Sequence, residues 1–204
     1  MSDLSGLGAP TLYRSDVPND PHAEVQAWHA IQAPQRLAPR IWVPGEAEEA
    51  FYRLNNLPLR LTHHFADVLE HDPDEDDVED LIDDAQTLIR QHSLMDVWVD
   101  ALYQALDGLP ATVRVRRLGQ EGVVVKSGRP TLLAVRDTWL KAWTLDAVLQ
   151  RLRASGSVAL EAAPLVIHAD DQPLSEATHG SNPSDLDTMF VDAESRVTRV
   201  ASSF

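Results

Sequence analysis

The sequence of 204 residues lacks cysteine and long apolar runs. The absence of cysteine excludes disulfide bonds and thiolate chemistry, and it agrees with a reducing compartment, so we expect a cytoplasmic protein. No apolar stretch reaches the ~18 residues of a membrane helix, and the first residues lack the basic start and apolar core of a signal peptide. The sequence also lacks the glycine-rich loops of P-loop and dinucleotide-binding folds. We therefore expect a soluble globular protein with no membrane partner.

Positive charge is scarce as well, because 17 Lys and Arg stand against 32 Asp and Glu, for a net charge of −15. The imbalance is concentrated between residues 66 and 107, where 14 acidic residues are opposed by Arg90 alone. Between residues 111 and 153 the sign inverts, with nine basic residues against three acidic ones. The net negative charge disfavours nonspecific attraction of the whole molecule to nucleic acid or anionic lipid. Nucleic acid binding is therefore expected, if anywhere, only through the basic region 111–153.

The stretch from Asp72 to Gly108 carries most of the negative charge and has the pattern of an amphipathic helix. Asp72 is a suitable N-cap residue and Pro73 suits the first turn, while Gly108 and Pro110 are typical of a helix end. Apolar residues recur at steps of three and four, interrupted only by His92. The stripe consists of Val78, Leu81, Ala85, Leu88, His92, Met95, Val99, Leu102 and Leu106. Residues 93–96 resemble a second cap, which predicts two helices with a bend near His92.

The rest of the chain divides into a helical part and a part with short strands. Helices are predicted over 21–33, 46–54 and 59–70, with a short strand over 40–43. After Pro110, a three-stranded meander is predicted over 113–116, 123–125 and 132–135, followed by a helix over 144–156 and strands over 158–160 and 165–168. The predicted fold class is α+β. It has a flexible arm (1–19), a mainly helical lobe (20–109), a small lobe with the β-meander and a helix (110–168) and a flexible tail (169–204).

No motif specifies a reaction, so the functional prediction rests on the segregated charge. We expect a non-catalytic interaction or assembly protein without a cofactor, which binds protein partners or copies of itself. The acidic helical surface comprises Asp76, Asp77, Asp80, Asp83 and Asp84, and the basic β-region comprises Arg114, Arg116, Lys126 and Arg129. In this interpretation the arginines pair with the acidic helix of the same chain or of a neighbouring one.

Paired carboxylates support an enzymatic alternative. Glu46 and Glu49, like Asp80 and Asp83, are three residues apart and share a helix face. Two such helices could hold Mg²⁺ through oxygen ligands and leave positions open for a phosphate-bearing substrate. The arrangement resembles that of all-helical nucleoside triphosphate pyrophosphohydrolases, and this resemblance implies an Mg²⁺-dependent nucleotide pyrophosphohydrolase without making the chain a member of that family. A solvated acidic helix face is the competing interpretation of the same spacing.

A second alternative is binding of single-stranded nucleic acid by the basic region. Its arginines are accompanied by Trp139 and Trp143, and such a surface could combine phosphate contacts with base stacking. The same tryptophans are equally suited to a hydrophobic core. The two interpretations differ in whether these indole rings are exposed.

Overall fold

A computed structural model describes residues 13–14, 19–30, 38–70, 75–173, 188–191 and 197–201. In these ranges, most of the helices pack on one face of an antiparallel sheet. A smaller antiparallel sheet follows later in the chain. The α+β fold class predicted from the sequence is therefore confirmed. The remaining parts of the predicted arm and tail, and the predicted N-cap Asp72, lie outside the described residues.

Six helices lie in the first half of the described chain, where the single helix predicted over 59–70 is instead two helices with a break at Phe65. They are α1 (Ala23–Ala30), α2 (Gly45–Leu54), α3 (Leu57–His64), α4 (Ala66–Glu70), α5 (Glu75–Arg90) and α6 (Asp96–Leu106). The predicted bend near His92 is confirmed, because residues 91–95 separate α5 from α6. Met95 rather than Ser93 is the N-cap residue of α6, and no side chain caps that helix.

The strands and the last two helices complete the described chain. They are β1 (Tyr13–Arg14), β2 (Arg40–Val43), β3 (Thr112–Arg117), β4 (Val123–Lys126), α7 (Arg129–Leu140), α8 (Leu145–Ser155), β5 (Leu165–Ala169), β6 (Gln172–Pro173), β7 (Thr188–Val191) and β8 (Val197–Ala201). Helix α8 has the expected ends: the Thr144 hydroxyl accepts a hydrogen bond from the Ala147 amide, and Gly156 adopts a φ of 62° at the C-cap.

The strand predicted over 132–135 is wrong, because these residues belong to α7. Pro130 lies in the first turn of this helix, where a missing amide hydrogen costs nothing. Leu132, Val135 and Trp139 are buried and share one helical face. A four-residue apolar run fits a strand or a helix equally well, and here the packing of Val135 and Trp139 into the core selects the helix. The strand predicted over 158–160 is also absent from the described fold.

The larger sheet joins parts of the chain that the sequence analysis assigned to separate lobes. Its strand order is β1-β2-β5-β3-β4, with Ile41 of β2 and Val115 of β3 both opposite Ile167 of β5. One hydrophobic core contains Phe51 and Leu102 from the first predicted lobe together with Val115 and Ile167 from the second. The predicted boundary between residues 109 and 110 therefore falls inside a shared core.

Side chains alternate between the two faces of this sheet. Ile41, Val115 and Ile167 point towards the main helical core. Trp42 and Val166 point the other way and pack with Val25, Trp28 and Leu118 in a second cluster. Helix α1 thus covers the second face, which we call the back face of the sheet, and β8 contacts α1.

Strands β6, β7 and β8 form the smaller sheet, with β7 in the middle. They lie within residues 169–204, for which the sequence predicts a flexible tail. Thr198 of β8 is completely buried, and its hydroxyl donates a hydrogen bond of 2.8 Å to Asp171. Strand β1 similarly lies within the predicted arm and pairs with β2, placing Tyr13 opposite Trp42.

Candidate functional site

The two sides of α5 differ sharply in character. Val78, Ile82, Ala85 and Ile89 are buried at spacings of four, three and four residues. The opposite side carries the acidic face, which we define as Asp76, Asp77, Asp80, Asp83 and Asp84, all exposed. Side chains three or four residues apart on a helix have Cβ atoms about 5–6 Å apart, so these like charges repel one another. The predicted exposure of all five carboxylates is confirmed.

The buried row of α5 is rotated slightly from the predicted stripe. Leu81 and Leu88, expected in the core or a subunit interface, are half-buried at the margin of the core, whereas Ile82 and Ile89 lie inside it. On α6, Leu102 is buried as predicted. His92 lies outside the core, where its Nε2 atom is 3.1 Å from Nη1 of Arg60. Because α5 and α6 are separate helices, the apolar row of one does not continue directly into that of the other.

The basic β-region does not form the exposed surface that the sequence predicted. Arg116 is completely buried, so its assignment to an exposed interaction face is wrong. Arg114 is largely buried and pairs with Asp170 and Asp171 at 2.7 and 3.0 Å. Lys126 and Arg129 are exposed, in agreement with the prediction. Two of the four predicted basic residues are therefore available to a partner.

The arginines of β3 find their carboxylates on elements other than α5. Arg116 pairs with Glu24 of α1, and Arg117 pairs with Glu48 of α2 at 2.8 Å. The basic region does reach the two ends of α5, where Arg153 lies 3.9 Å from Glu75 and Arg136 donates to the Arg90 carbonyl. The pairing of the arginines of the basic β-region with the acidic helix of the same chain, which the sequence left open, is thus wrong for Arg114 and Arg116.

A hydrogen-bonded network lies between α1 and the back face of the sheet. The Glu24 carboxylate accepts hydrogen bonds from Nη1 of Arg116 at 2.9 Å, from Nη2 of the same guanidinium and from the Gly119 amide at 3.0 Å. Nε of Arg116 donates to Nε2 of His168 at 2.8 Å. Nδ1 of His168 lies 2.7 Å from the Ala169 carbonyl, so this nitrogen carries the imidazole hydrogen. Each of the three side chains is thereby held by at least two partners.

Burial sets the protonation states in this network. It lowers the pKa of His168 well below its ordinary value, and the neighbouring Arg116 lowers it further. His168 is therefore neutral and can accept the Arg116 hydrogen bond. Burial and the charge of Arg116 lower the pKa of Arg40 to about 10, so this guanidinium is still charged at neutral pH. Its Cζ atom lies 4.4 Å from the centroid of the Trp28 ring, a cation–π contact.

The network holds α1 on the sheet rather than presenting reactive groups. Glu24, Arg116 and His168 are 4%, 0% and 0% exposed, so no substrate can reach them in this arrangement. No pattern in the sequence singled out Glu24, Arg40, His168 or Asp171 as members of a network. The alternation of Arg and Val in β3 was a usable signal, because it places Arg114 and Arg116 on one face of the strand. The spacing could not predict that α1 covers that face.

The metal alternative receives no geometric support. Among the residues that the structure describes, no three His, Asp or Glu side chains come together as a metal site requires. Glu46, Glu49, Asp80 and Asp83 are all within those ranges. The carboxylates of α2 and α5 therefore do not form the predicted Mg²⁺ cluster.

The nucleic acid alternative depended on exposed tryptophans, and neither is exposed. Trp139 and Trp143 are each 1% exposed and belong to the main core. Trp143 stacks on Phe65 with ring centroids 5.8 Å apart, and its indole donates a hydrogen bond of 2.9 Å to the Tyr52 hydroxyl. The stacking surface predicted from these two residues is therefore wrong.

Comparison of the chain with known protein families, curated proteins and solved structures gives no match. None of the described helices has the length and apolar character needed to cross a membrane.

Proposed function

We propose that this is a non-catalytic interaction protein whose acidic face binds a basic surface on a partner protein or on a second copy of the chain. The observation that carries the proposal is the internal pairing of Arg114, Arg116 and Arg117 with carboxylates outside α5, while the five aspartates of the acidic face are exposed. Within the described residues, these three arginines are therefore engaged away from the acidic face, and we propose that a binding partner supplies its basic complement.

Electrostatics supports this choice of surface. Repulsion among closely spaced aspartates destabilises the free helix slightly, and a basic partner removes that repulsion on binding. Complementary charge also steers association and discriminates against acidic partners. Lys126 and Arg129 are exposed and offer basic groups for contact between copies of the chain. The proposed location is the cytoplasm, for which the absence of cysteine is the supporting observation.

The test compares the wild-type protein with a variant that carries Asn at all five positions of the acidic face. A control variant carries Asn at the exposed residues Asp96 and Asp100 of α6 and at Asp107, its C-cap residue, which removes negative charge elsewhere. Mass in solution is measured by sedimentation at low and high salt, and bound proteins are identified after affinity capture. We expect self-association or retention of a basic protein for the wild type and the control, weakened at high salt because the Debye length falls to ~3 Å at 1 M.

Loss of that association in the five-Asn variant, with an unchanged circular dichroism spectrum, supports the proposal. Equal mass and equal retention for all three proteins at both salt concentrations contradicts it, because charge on α5 would then play no part in recognition.

A further inference from the structure

A pocket of about 290 Å³ lies between α2, α3 and residues 158–162, away from the acidic face. Its walls are mostly apolar, with Leu61, Trp143, Val158 and Leu160 among them. Concave apolar pockets with a few polar groups are the usual form of small-molecule sites, and this volume is at the lower end of their range of roughly 300–1,000 Å³. The pocket therefore suits a small ligand.

Tyr52 supplies the buried polar group of this pocket. It lines the wall and is 7% exposed. Its oxygen accepts the hydrogen bond from the Trp143 indole, and the hydrogen bonds of the described residues include no acceptor for its own hydrogen. Burial raises the pKa of Tyr52, so the phenol remains protonated and acts as a donor. A buried donor without an acceptor is costly, and a ligand oxygen at this position would remove that cost.

The charges around the pocket disfavour an ionic ligand. Both oxygens of the buried Glu48 carboxylate are engaged, one by Arg117 at 2.8 Å and the other by the Ala163 amide at 3.1 Å. Glu49 and Arg53 are exposed, lie one helical turn apart on α2 and offset each other. A cation would find the inner carboxylate already paired, and an anion would find no buried cationic side chain among the lining residues.

We infer that this pocket binds a small, neutral, largely apolar molecule through a hydrogen bond from the Tyr52 hydroxyl to a carbonyl or ether oxygen of the ligand. The inference goes beyond the proposed function, because it involves none of the five aspartates of the acidic face. An experiment can therefore contradict the ligand pocket without contradicting the proposed function, and the reverse.

The probe is Prodan, a neutral naphthalene ketone whose emission shifts when its carbonyl accepts a hydrogen bond. We expect saturable binding to the wild-type protein. Ala159→Trp places an indole at an exposed position of the pocket wall and is expected to abolish binding. Ala154→Trp makes the same change at an exposed position of α8 outside this pocket and should leave binding unchanged.

Tyr52→Phe keeps the ring and removes the donor. We expect about fivefold weaker binding and loss of the hydrogen-bond shift in the emission, because one hydrogen bond contributes about 1 kcal/mol. Absence of saturable binding by the wild type overturns the inference, as does equal binding by the Ala159→Trp variant. Full affinity with an unchanged emission shift in Tyr52→Phe overturns the assignment of Tyr52 as the donor.

Discussion

The Arg116 side chain lies wholly inside the protein, between Glu24 of α1 and His168 of β5. Removing a guanidinium and a carboxylate from water costs several kcal/mol for each ion, and the bidentate pairing offsets most of that cost. Such a pair adds little net stability compared with apolar residues of the same shape. Removing one member, however, leaves a buried charge without its partner.

Glu24→Gln should therefore lower the free energy of unfolding by about 3–5 kcal/mol. Urea denaturation measures this change, with Glu121→Gln, an exposed position in the connection between β3 and β4, as the control. Adding Arg116→Met to Glu24→Gln should recover much of the loss, because the guanidinium that lost its carboxylate partner is then removed as well. Equal stability of Glu24→Gln and Glu121→Gln would contradict this account of the network.

His168 makes the stability of the fold depend on pH. Its pKa in the folded protein lies well below the ordinary value of 6.5, because of burial first and the charge of Arg116 second. Between these two values the unfolded chain binds more protons than the folded protein, so the stabilisation is present above pH 6.5 and is lost as the pH falls. The slope of the free energy of unfolding against pH approaches about 1.4 kcal/mol per pH unit when the unfolded chain binds one proton more than the folded protein.

We expect His168→Gln to flatten this slope between about pH 7 and pH 5, because a neutral amide cannot take up the proton. His63→Gln, a change at an exposed histidine, should retain the wild-type slope. Urea midpoints across this pH range measure both. A slope that survives in His168→Gln would assign the pH dependence to other groups.

At the scale of elements, α5 separates its two roles by side. Its buried row packs against α3, α7 and α8, while its acidic face is in solvent. The helix therefore contributes to stability through one set of residues and to the proposed recognition through another. Changes on the two sides should have separable effects.

Ile89→Ala should lower the free energy of unfolding by about 2–5 kcal/mol, because Ile89 is completely buried and its truncation leaves a cavity. Leu102→Ala on α6 should fall in the same range for the same reason. Leu88→Ala, at the half-buried margin, should cost clearly less than Ile89→Ala. Urea denaturation of the three variants ranks their free energies of unfolding. Equal losses for Leu88→Ala and Ile89→Ala would contradict the buried face of α5 described above.

At the scale of the whole molecule, one core and one sheet connect the two parts of the chain that differ in composition. β2 pairs with β5, and the main core draws residues from both sides of residue 109. Elements that share a core lose their packing together. Separate lobes would instead unfold independently.

We therefore expect a single unfolding transition in urea. Tryptophan fluorescence reports both clusters, since Trp28 lies behind the sheet and Trp139 in the main core, and far-ultraviolet circular dichroism reports the helices. The curves from the two probes should coincide. Two resolved transitions would show that the lobes predicted from the sequence are independent after all.

Local patterns in the sequence were sufficient to predict most of the helices and strands. The spacing in 72–108 predicted α5, α6 and the break between them, and Thr144 and Gly156 predicted the ends of α8. These signals succeed because capping and amphipathic periodicity act within a few residues. They failed over 132–135, where a short apolar run is compatible with the period of a strand and with that of a helix.

The charge of the chain and its segregation followed from the sequence alone, and so did the exposure of the acidic face, because repelling carboxylates opposite an apolar row have to lie in solvent. Only the tertiary structure decided where the basic residues go. The alternation in β3 put Arg114 and Arg116 on one face, but whether that face met water or another element depended on α1 and its Glu24, 92 residues away in the chain. Pairing at that distance is selected by the packing of the whole molecule, which no local pattern encodes.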